Sequence, residues 1–226
     1  MTESTGRQER RLAGKEVRKK VPRESMGVWA PPDDRRDPVQ ILIEQGDSRV
    51  QDLVPIRYAR MLSSEFAFYR GAAAVMASDL SYSANTHLTV QLAGDAHLSN
   101  FGGYAAPDRT FVFDVNDFDE TLPGPFEWDL KRLVASFAVA GRGNGFDEKT
   151  RARIIGRVVR TYREAVQKFS EMPRMDVWYS RLTAQDIIDE WGAKVDKSYR
   201  KAFEKQVAKA QTKTSERALQ KLTTTD

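Results

Sequence analysis

The sequence contains no cysteine and only two histidines among its 226 residues. Without cysteine the chain cannot form disulfides, thiolate zinc sites or iron–sulfur clusters, and it has no cysteine nucleophile. Two histidines leave little room for a histidine-rich metal site. Redox, metal-binding and hydrolytic functions that depend on cysteine are therefore all excluded.

Long hydrophobic runs are also missing. No apolar stretch approaches the roughly 18 residues that a membrane span needs. The first twenty residues are basic but lack the apolar segment of a secretory signal. We therefore expect no membrane span and a cytoplasmic protein, and the length suits one domain with tails.

Positive charge is concentrated at the two ends of the chain. The net charge is +3 over residues 1–38, −4 over residues 39–191 and +5 over residues 192–226. A nucleic-acid-binding domain usually carries its basic patch on a folded face, whereas here the body is mildly acidic. The charge pattern therefore argues against nucleic-acid binding, apart from what the tails alone could contribute.

Composition divides the chain into three segments. Residues 1–38 are polar and contain four prolines, so they cannot bury enough surface to offset the entropy of ordering. We predict a disordered basic arm over 1–38, a folded domain over 39–222 and a short tail over 223–226.

Hydrophobic periodicity predicts a helix-rich α+β fold. The predicted strands are 87–93 and 110–117, a third short aromatic run at 66–70 is interpreted as a possible strand, and 94–109 is interpreted as a loop. Trp128, Trp178 and Trp191 are expected in the helical core. The predicted helices cover 39–46, 55–62, 71–80 and 129–141, then one that begins after Asp147 and one that begins after Thr183 and Asp186 and continues to Val207.

The densest polar cluster begins as the first predicted strand ends. Asp95 is followed five residues later by Asn100, in the segment GDAHLSN. In phosphotransferases an Asp accepts the proton of the attacking hydroxyl, and an Asn five residues later coordinates magnesium. Surface turns favour the same residue types, so the spacing alone also fits a structural loop.

A second acidic block ends the next predicted strand, with Asp114, Asp117, Asp119 and Glu120 within seven residues. Such carboxylates repel one another unless a cation or a basic group neutralises them. A calcium loop does not fit, because Phe118 or Leu122 then occupies a position that needs a ligand or glycine. A carboxylate of this block is expected to reach the same metal as Asn100.

These segments resemble known families. GDAHLSN resembles the catalytic loop of aminoglycoside phosphotransferases and choline kinases, and VFDVNDFDE resembles their following strand. More closely, QLAGDAHLSNFGGY and FVFDVNDFDETLPGPFEWDLKRLVASF resemble the bacterial domain-of-unknown-function family 2252, a family placed with kinase-like folds. The resemblance covers residues 38–222 and implies a fold like the catalytic, C-terminal lobe of a kinase.

The resemblance also implies roles for individual residues, together with Mg²⁺ and ATP as cofactors. Asp95 corresponds to the catalytic base, Asn100 and Asp117 to metal ligands, and Asp129 to the Asp that binds the backbone of the catalytic loop. Asp119 is a further possible ligand, and the choice among Asp114, Asp117 and Asp119 stays open.

Two supporting residues have alternative interpretations. His97 could transfer a proton or merely stabilise the loop by a hydrogen bond. Arg70 is the basic side chain proposed for phosphate or for the acidic block, with Arg57 and Arg60 as alternatives and a structural ion pair as another. The acceptor substrate cannot be predicted from the sequence.

The parts that hold a nucleotide are not found. No Gly-rich strand–turn–strand and no nucleotide-clamping lysine follow Val39. We therefore expect an incomplete catalytic unit, nearly inactive alone, whose exposed apolar surface a partner chain would cover. The alternative is a kinase-like binding module without catalysis.

Overall fold

A computed structural model describes residues 6–192 and 195–211 of the chain. The helices are α1 (Arg7–Lys20), α2 (Pro38–Asp47), α3 (Val54–Met61), α4 (Glu65–Gly71), α5 (Ala73–Ser81), α6 (Glu127–Gly143), α7 (Glu148–Phe169), α8 (Arg174–Trp178), α9 (Ala184–Trp191) and α10 (Lys197–Gln211). The strands are β1 (Thr89–Leu92), β2 (Phe101–Ala105), β3 (Phe111–Val115) and β4 (Leu122–Pro125). The fold is helix-rich α+β, as predicted.

The chain forms two compact units. The first comprises Met1–Leu98 with Phe118–Thr161, and the second comprises Ser99–Asp117 with Tyr162–Asp226. In the described part of each unit there is one antiparallel ladder of two strands, β1 with β4 in the first and β2 with β3 in the second. Within the described residues, no helix is long and apolar enough to cross a membrane.

The helical part of the first unit forms around a small apolar cluster. Leu42, Met61 and Ala72 are buried together, and Tyr58 and Val75 pack against them. The predicted helices at 39–46, 55–62 and 71–80 are confirmed as α2, α3 and α5, and Ala72 lies at the N-cap of α5. Asp37 caps α2 through the N–H groups of Val39 and Gln40, which places Pro38 in the first turn.

Helix α4 corrects one prediction. The run 66–70 is helical rather than extended, because the Ser64 hydroxyl caps the first turn by accepting from Ala67 N at 3.0 Å. Short apolar runs do not distinguish strand from helix by periodicity. The helix places Tyr69 so that its hydroxyl donates to the carbonyl oxygen of Arg132 at 2.6 Å.

The ladder of the first unit pairs β1 with an unpredicted strand. Register runs from Thr89 opposite Pro125 to Leu92 opposite Leu122. Strand β4 was missed because two of its four residues are prolines, which remove N–H donors and usually mark non-strand or edge positions. The two predicted strands, which correspond to β1 and β3, therefore belong to different ladders.

The second unit corrects the predicted loop over 94–109. Its first part is a loop, but Phe101–Ala105 forms β2 and pairs with β3 from Phe101 opposite Val115 to Ala105 opposite Phe111. The strand was not predicted because its two central glycines, Gly102 and Gly103, are typical of loops. A Cβ on Gly103 would lie 2.4 Å from the Phe111 ring, so glycine permits the close approach that the pairing needs.

The C-terminal helices begin as predicted but do not form one helix. Thr183 and Asp186 form the predicted capping box at the start of α9, in which Asp186 Oδ2 accepts from Thr183 N at 2.9 Å. The helix ends at Trp191 and α10 begins at Lys197, so the continuous helix to Val207 is wrong. The start of α7 after Asp147 is confirmed, with Asp147 Oδ1 accepting from Thr150 N at 2.7 Å.

Three sequence-based expectations concern the ends of the chain and the tryptophans. In the segment predicted to be a disordered arm, residues 7–20 form α1, none of whose residues is buried. The short tail over 223–226 lies outside the described residues. Trp178 is 81% exposed, which corrects its expected place in the core.

Candidate functional site

The segment that follows β1, residues 93–98 (the 93–98 loop), is held in an unusual backbone conformation. Gly94 has φ +80°, and a Cβ at this position would lie 1.9 Å from the carbonyl oxygen of Glu120. Only glycine fits such a left-handed position without strain. The turn continues with His97 N donating to Asp95 O at 2.8 Å, which closes a tight turn over Asp95, Ala96 and His97.

Helix α6 presents a polar stripe, Asp129, Arg132 and Ser136 (the α6 stripe), to this loop. The spacing of three and then four residues places all three on one face of the helix. Arg132 is 2% and Ser136 0% exposed, so two of the three are fully buried. Buried polar groups need partners, and each member of the α6 stripe has one in the 93–98 loop.

Asp129 binds the backbone at the start of the loop. Its carboxylate accepts from Ala93 N at 2.7 Å and from Gly94 N at 3.1 Å. Burial raises the pKa of Asp129, while these two backbone hydrogen bonds and the Arg132 charge act in the opposite direction. These are the contacts that the resemblance implies for this residue.

Arg132 binds the side chain of Asp95. Its Nε and Nη2 atoms lie 2.6 and 2.5 Å from Asp95 Oδ1. The Arg132 side chain is 3% exposed and that of Asp95 is 21% exposed, so water screens the pair little. A charge-assisted hydrogen bond from Nε, with the second nitrogen close to the same oxygen, fixes the carboxylate in place.

The Arg132 guanidinium is itself held by Tyr69. Nη2 also donates to the Tyr69 carbonyl oxygen at 3.0 Å, and the guanidinium carbon lies 4.6 Å from the centre of the Tyr69 ring. Burial raises the pKa of Tyr69 to about 12, although the nearby Arg132 charge opposes the shift. The phenol therefore stays neutral at physiological pH.

Ser136 and His97 complete the contacts of the loop. Ser136 Oγ accepts from Leu98 N at 3.0 Å and donates to Leu133 O at 2.6 Å. His97 is 5% exposed, lies edge-on to the Phe66 ring at 6.2 Å, and places Nε2 at 3.6 Å from Asp95 Oδ2. The loop is thus bound by side chains at both of its ends and at Asp95.

The second unit brings together two of the predicted metal ligands. Asn100 is 6% exposed, and its Nδ2 donates to the carbonyl oxygen of Asp117 at 2.7 Å. Asn116 N donates to Asn100 O at 2.9 Å, so the two segments are also joined through the backbone. Asp114 and Asp117 are exposed, and Asp114 Oδ1 accepts from Val115 N at 2.8 Å.

The remaining predicted residues belong to the first unit. Asp119 is exposed, and Arg70 is exposed in the last turn of α4. Arg57 is half-buried, and its Nη2 donates to Gly71 O at 2.7 Å. Because Asp95 lies in the first unit and Asn100 and Asp117 in the second, their convergence on one cleft stays a prediction.

Sequence reasoning missed Arg132 and Ser136. Both lie in the helix predicted over 129–141, in which a role was predicted for Asp129 alone. The signal was the helical spacing of Asp129, Arg132 and Ser136, which puts a carboxylate, a guanidinium and a hydroxyl on one face of α6. The sequence analysis instead proposed Arg70, with Arg57 and Arg60 as alternatives, as the functional arginine.

The donor chemistry of Asn100 and Asp117 suits magnesium. A carboxylate and an amide oxygen are hard ligands, and Mg²⁺ usually takes only one or two carboxylates from a protein. In the part of the chain that the structure describes, no group of three or more His, Asp or Glu residues could hold a metal ion. Any site here would depend on Asn100 and one or two carboxylates.

The protein is thus helix-rich α+β, and its 93–98 loop, which carries Asp95, is tightly anchored. The model of a family described as an uncharacterised protein conserved in bacteria, DUF2252, matches residues 49–226. The chain therefore belongs to the DUF2252 family. No curated protein matches the chain, and no solved structure matches it.

Proposed function

We propose that this chain carries the catalytic loop of a Mg²⁺- and ATP-dependent phosphotransferase that acts on a hydroxyl of a small molecule or protein. Asp95 is the general base. Asn100 and Asp117 hold the metal, with Asp119 and Asp114 as further possible ligands. The observation that carries the proposal is the fixed position of Asp95.

A general base must be held where the substrate hydroxyl arrives. Arg132 fixes Oδ1 of Asp95 by a hydrogen bond from Nε and an ion-pair contact from Nη2, and Asp129 fixes the backbone two residues earlier. In this proposal Oδ2, which lies 3.6 Å from His97 Nε2, is the oxygen that accepts the proton of the substrate hydroxyl. The loop therefore supports positioning, which supplies much of the rate enhancement in phosphoryl transfer.

The metal ligands in this proposal are held through one contact. The Asn100 amide nitrogen donates to Asp117 O, which sets the orientation of the amide group. When bound, Mg²⁺ would neutralise charge on the phosphate oxygens.

A kinase-like module that binds without catalysis is the second proposal. It is favoured by the same ion pair, because a carboxylate bound by a buried guanidinium can serve only to anchor the loop. In such a module the loop would be a rigid structural feature and Asp117 would be dispensable for partner binding.

ADP formation from Mg·ATP separates the two proposals. The full chain is assayed with a panel of hydroxyl acceptors, together with Asp95→Asn, Asp117→Asn and the exposed control Asp52→Asn. Because the sequence offers no Gly-rich loop or clamping lysine for the nucleotide, we expect an enzyme of this kind to form ADP only slowly when alone, and Asp95→Asn to lower that slow rate by about 10²–10⁴-fold. Asp117→Asn should abolish ADP formation, and Asp52→Asn should leave it unchanged.

Two outcomes would contradict phosphoryl transfer. One is ADP formation that Asp95→Asn leaves at the wild-type rate. The other is the absence of ADP formation together with no stabilisation of the chain by Mg·ATP, since a bound ligand must raise the unfolding midpoint. Partner binding that survives Asp117→Asn unchanged would support the binding module.

A further inference from the structure

The first unit contains an apolar cleft that the proposed phosphotransferase chemistry does not use. It has a volume of about 600 Å³ and is lined by residues of α4, α5 and α6. Such a volume is within the range of small-molecule sites. Its lining includes Phe68, Val75, Met76 and Val139.

Burial distinguishes the inner part of the cleft from its rim. Leu62 is 80% exposed and Glu65 is also exposed, so both lie at the rim. Ala72 at 7% and Arg132 at 2% exposure form the inner part. A ligand that enters past Leu62 would therefore meet apolar walls first and a guanidinium last.

The carboxylates of the lining already face cations. Asp79 forms a double hydrogen bond with Arg35, at 2.7 and 2.9 Å. Glu65 Oε2 lies 3.9 Å from Arg142 Nη1 in an exposed pair. The Arg132 charge is in turn balanced by Asp95 at 2.5 Å. A ligand with a net charge would therefore gain little from the lining and would lose its own hydration.

One nitrogen of the buried guanidinium is left with a weak acceptor. Nε and Nη2 of Arg132 donate to Asp95 and to the Tyr69 carbonyl, whereas Nη1 lies 3.6 Å from the Met76 thioether sulfur. A thioether accepts weakly, and among the described residues Nη1 has no oxygen acceptor. A buried charged donor with unused N–H groups favours an oxygen from a ligand.

We propose that this cleft binds a neutral small molecule with an apolar body and one hydroxyl or carbonyl oxygen, and that this oxygen accepts from Arg132 Nη1. A neutral oxygen satisfies the donor without adding charge beside Asp95 and Asp79. The apolar body covers Phe68, Val75 and Val139. This site requires neither metal nor nucleotide, so it does not depend on the proposed phosphoryl transfer.

The test titrates the full chain with 2-nonanone, octanoate and octylammonium by calorimetry and ligand-observed NMR, without metal or nucleotide. We expect 2-nonanone to bind saturably and at least about tenfold more tightly than either charged probe. Octylammonium cannot accept from Nη1, and octanoate would lose its hydration beside the carboxylates of Asp95 and Asp79. Val139→Trp, which fills the half-buried cleft wall, should weaken 2-nonanone binding at least tenfold.

Val159→Trp is the matched control, because Val159 is 41% exposed on α7 and does not line the cleft. It should leave the affinity for 2-nonanone unchanged. Should Val139→Trp fail to fold, Val75→Trp replaces it as a second wall substitution. The proposal is overturned by the absence of saturable binding, by tighter binding of octanoate, or by equal loss of affinity in the wall variants and in Val159→Trp.

Discussion

At the scale of single residues, the Arg132–Asp95 pair is the contact on which the loop depends most. Replacing Arg132 with Met would leave the Asp95 carboxylate without its buried partner and remove the contact to Tyr69 O. We expect the free energy of unfolding to fall by about 3 kcal/mol. Urea unfolding of the full chain measures this change.

Arg142→Met is the control for that substitution. Arg142 faces Glu65 at 3.9 Å with both side chains more than 60% exposed, so its loss should cost less than about 0.5 kcal/mol. Equal unfolding free energies for the two variants would contradict the assigned importance of the Arg132–Asp95 pair.

A second prediction at this scale concerns acid stability. Hydrogen bonds from Thr110 N and from Arg181 hold the pKa of Asp108 at about 2, below its ordinary value of 3.8. A lowered pKa means that folding favours the charged carboxylate, so this stabilisation is present above pH 3.8 and is lost as the pH falls towards 2. Asp108→Asn should therefore be less stable than wild type at neutral pH.

The difference between wild type and Asp108→Asn should shrink as the pH is lowered from 4 to 2. Thermal unfolding at stepped pH measures it. Glu164→Gln, at an exposed position of α7, is the control and should show no such convergence. A constant difference for Asp108→Asn across this range would contradict the assignment.

At the scale of elements, the 93–98 loop has a backbone that only glycine permits. Gly94→Ala should destabilise the chain by at least about 2 kcal/mol, because the φ is positive and the new Cβ would collide with Glu120 O. Gly156→Ala should instead stabilise by up to about 1 kcal/mol, since Gly156 lies within α7 with nothing in contact distance. Chemical unfolding of both variants tests the contrast, and a neutral Gly94→Ala would refute it.

Helices with capping residues close to their ends were predictable from the sequence. Strands that form only by pairing with a distant strand of the same chain were not. Asp147 and Thr183 predict the starts of α7 and α9, because each caps its helix by hydrogen bonds to groups only three residues away. Strands β2 and β4 depend on pairing. The glycines of β2 and the prolines of β4 are typical of loops. These segments form strands only because β2 pairs with β3 and β4 pairs with β1.

The same distinction applies to the candidate site. The spacing of Asp95 and Asn100 can be read along the sequence, and so can the acidic block after it. The spacing of Asp129, Arg132 and Ser136 indicates a polar face on α6, but it does not identify the partners of Arg132. These partners are Asp95, 37 residues earlier, and Tyr69, 63 residues earlier. Tertiary contacts of this range are not encoded in any local pattern.

At the scale of the whole molecule, the predicted base and the predicted metal ligands are built into different units. The first unit holds Asp95 by the α6 stripe, whereas the second holds Asn100 against Asp117. Phosphoryl transfer requires the base and the metal to act on one phosphate. The central claim therefore concerns whether a metal–nucleotide complex binds through Asn100 and Asp117.

The most direct test is an electron paramagnetic resonance titration of Mn²⁺ into the full chain in the presence of ATP, for wild type, Asp117→Asn and Asp52→Asn. The phosphotransferase account predicts a protein-bound Mn²⁺ signal in wild type and Asp52→Asn that is lost in Asp117→Asn. Circular dichroism of each variant verifies that the fold is retained. A bound signal that is unchanged in Asp117→Asn, or one that is absent from wild type, would contradict the account.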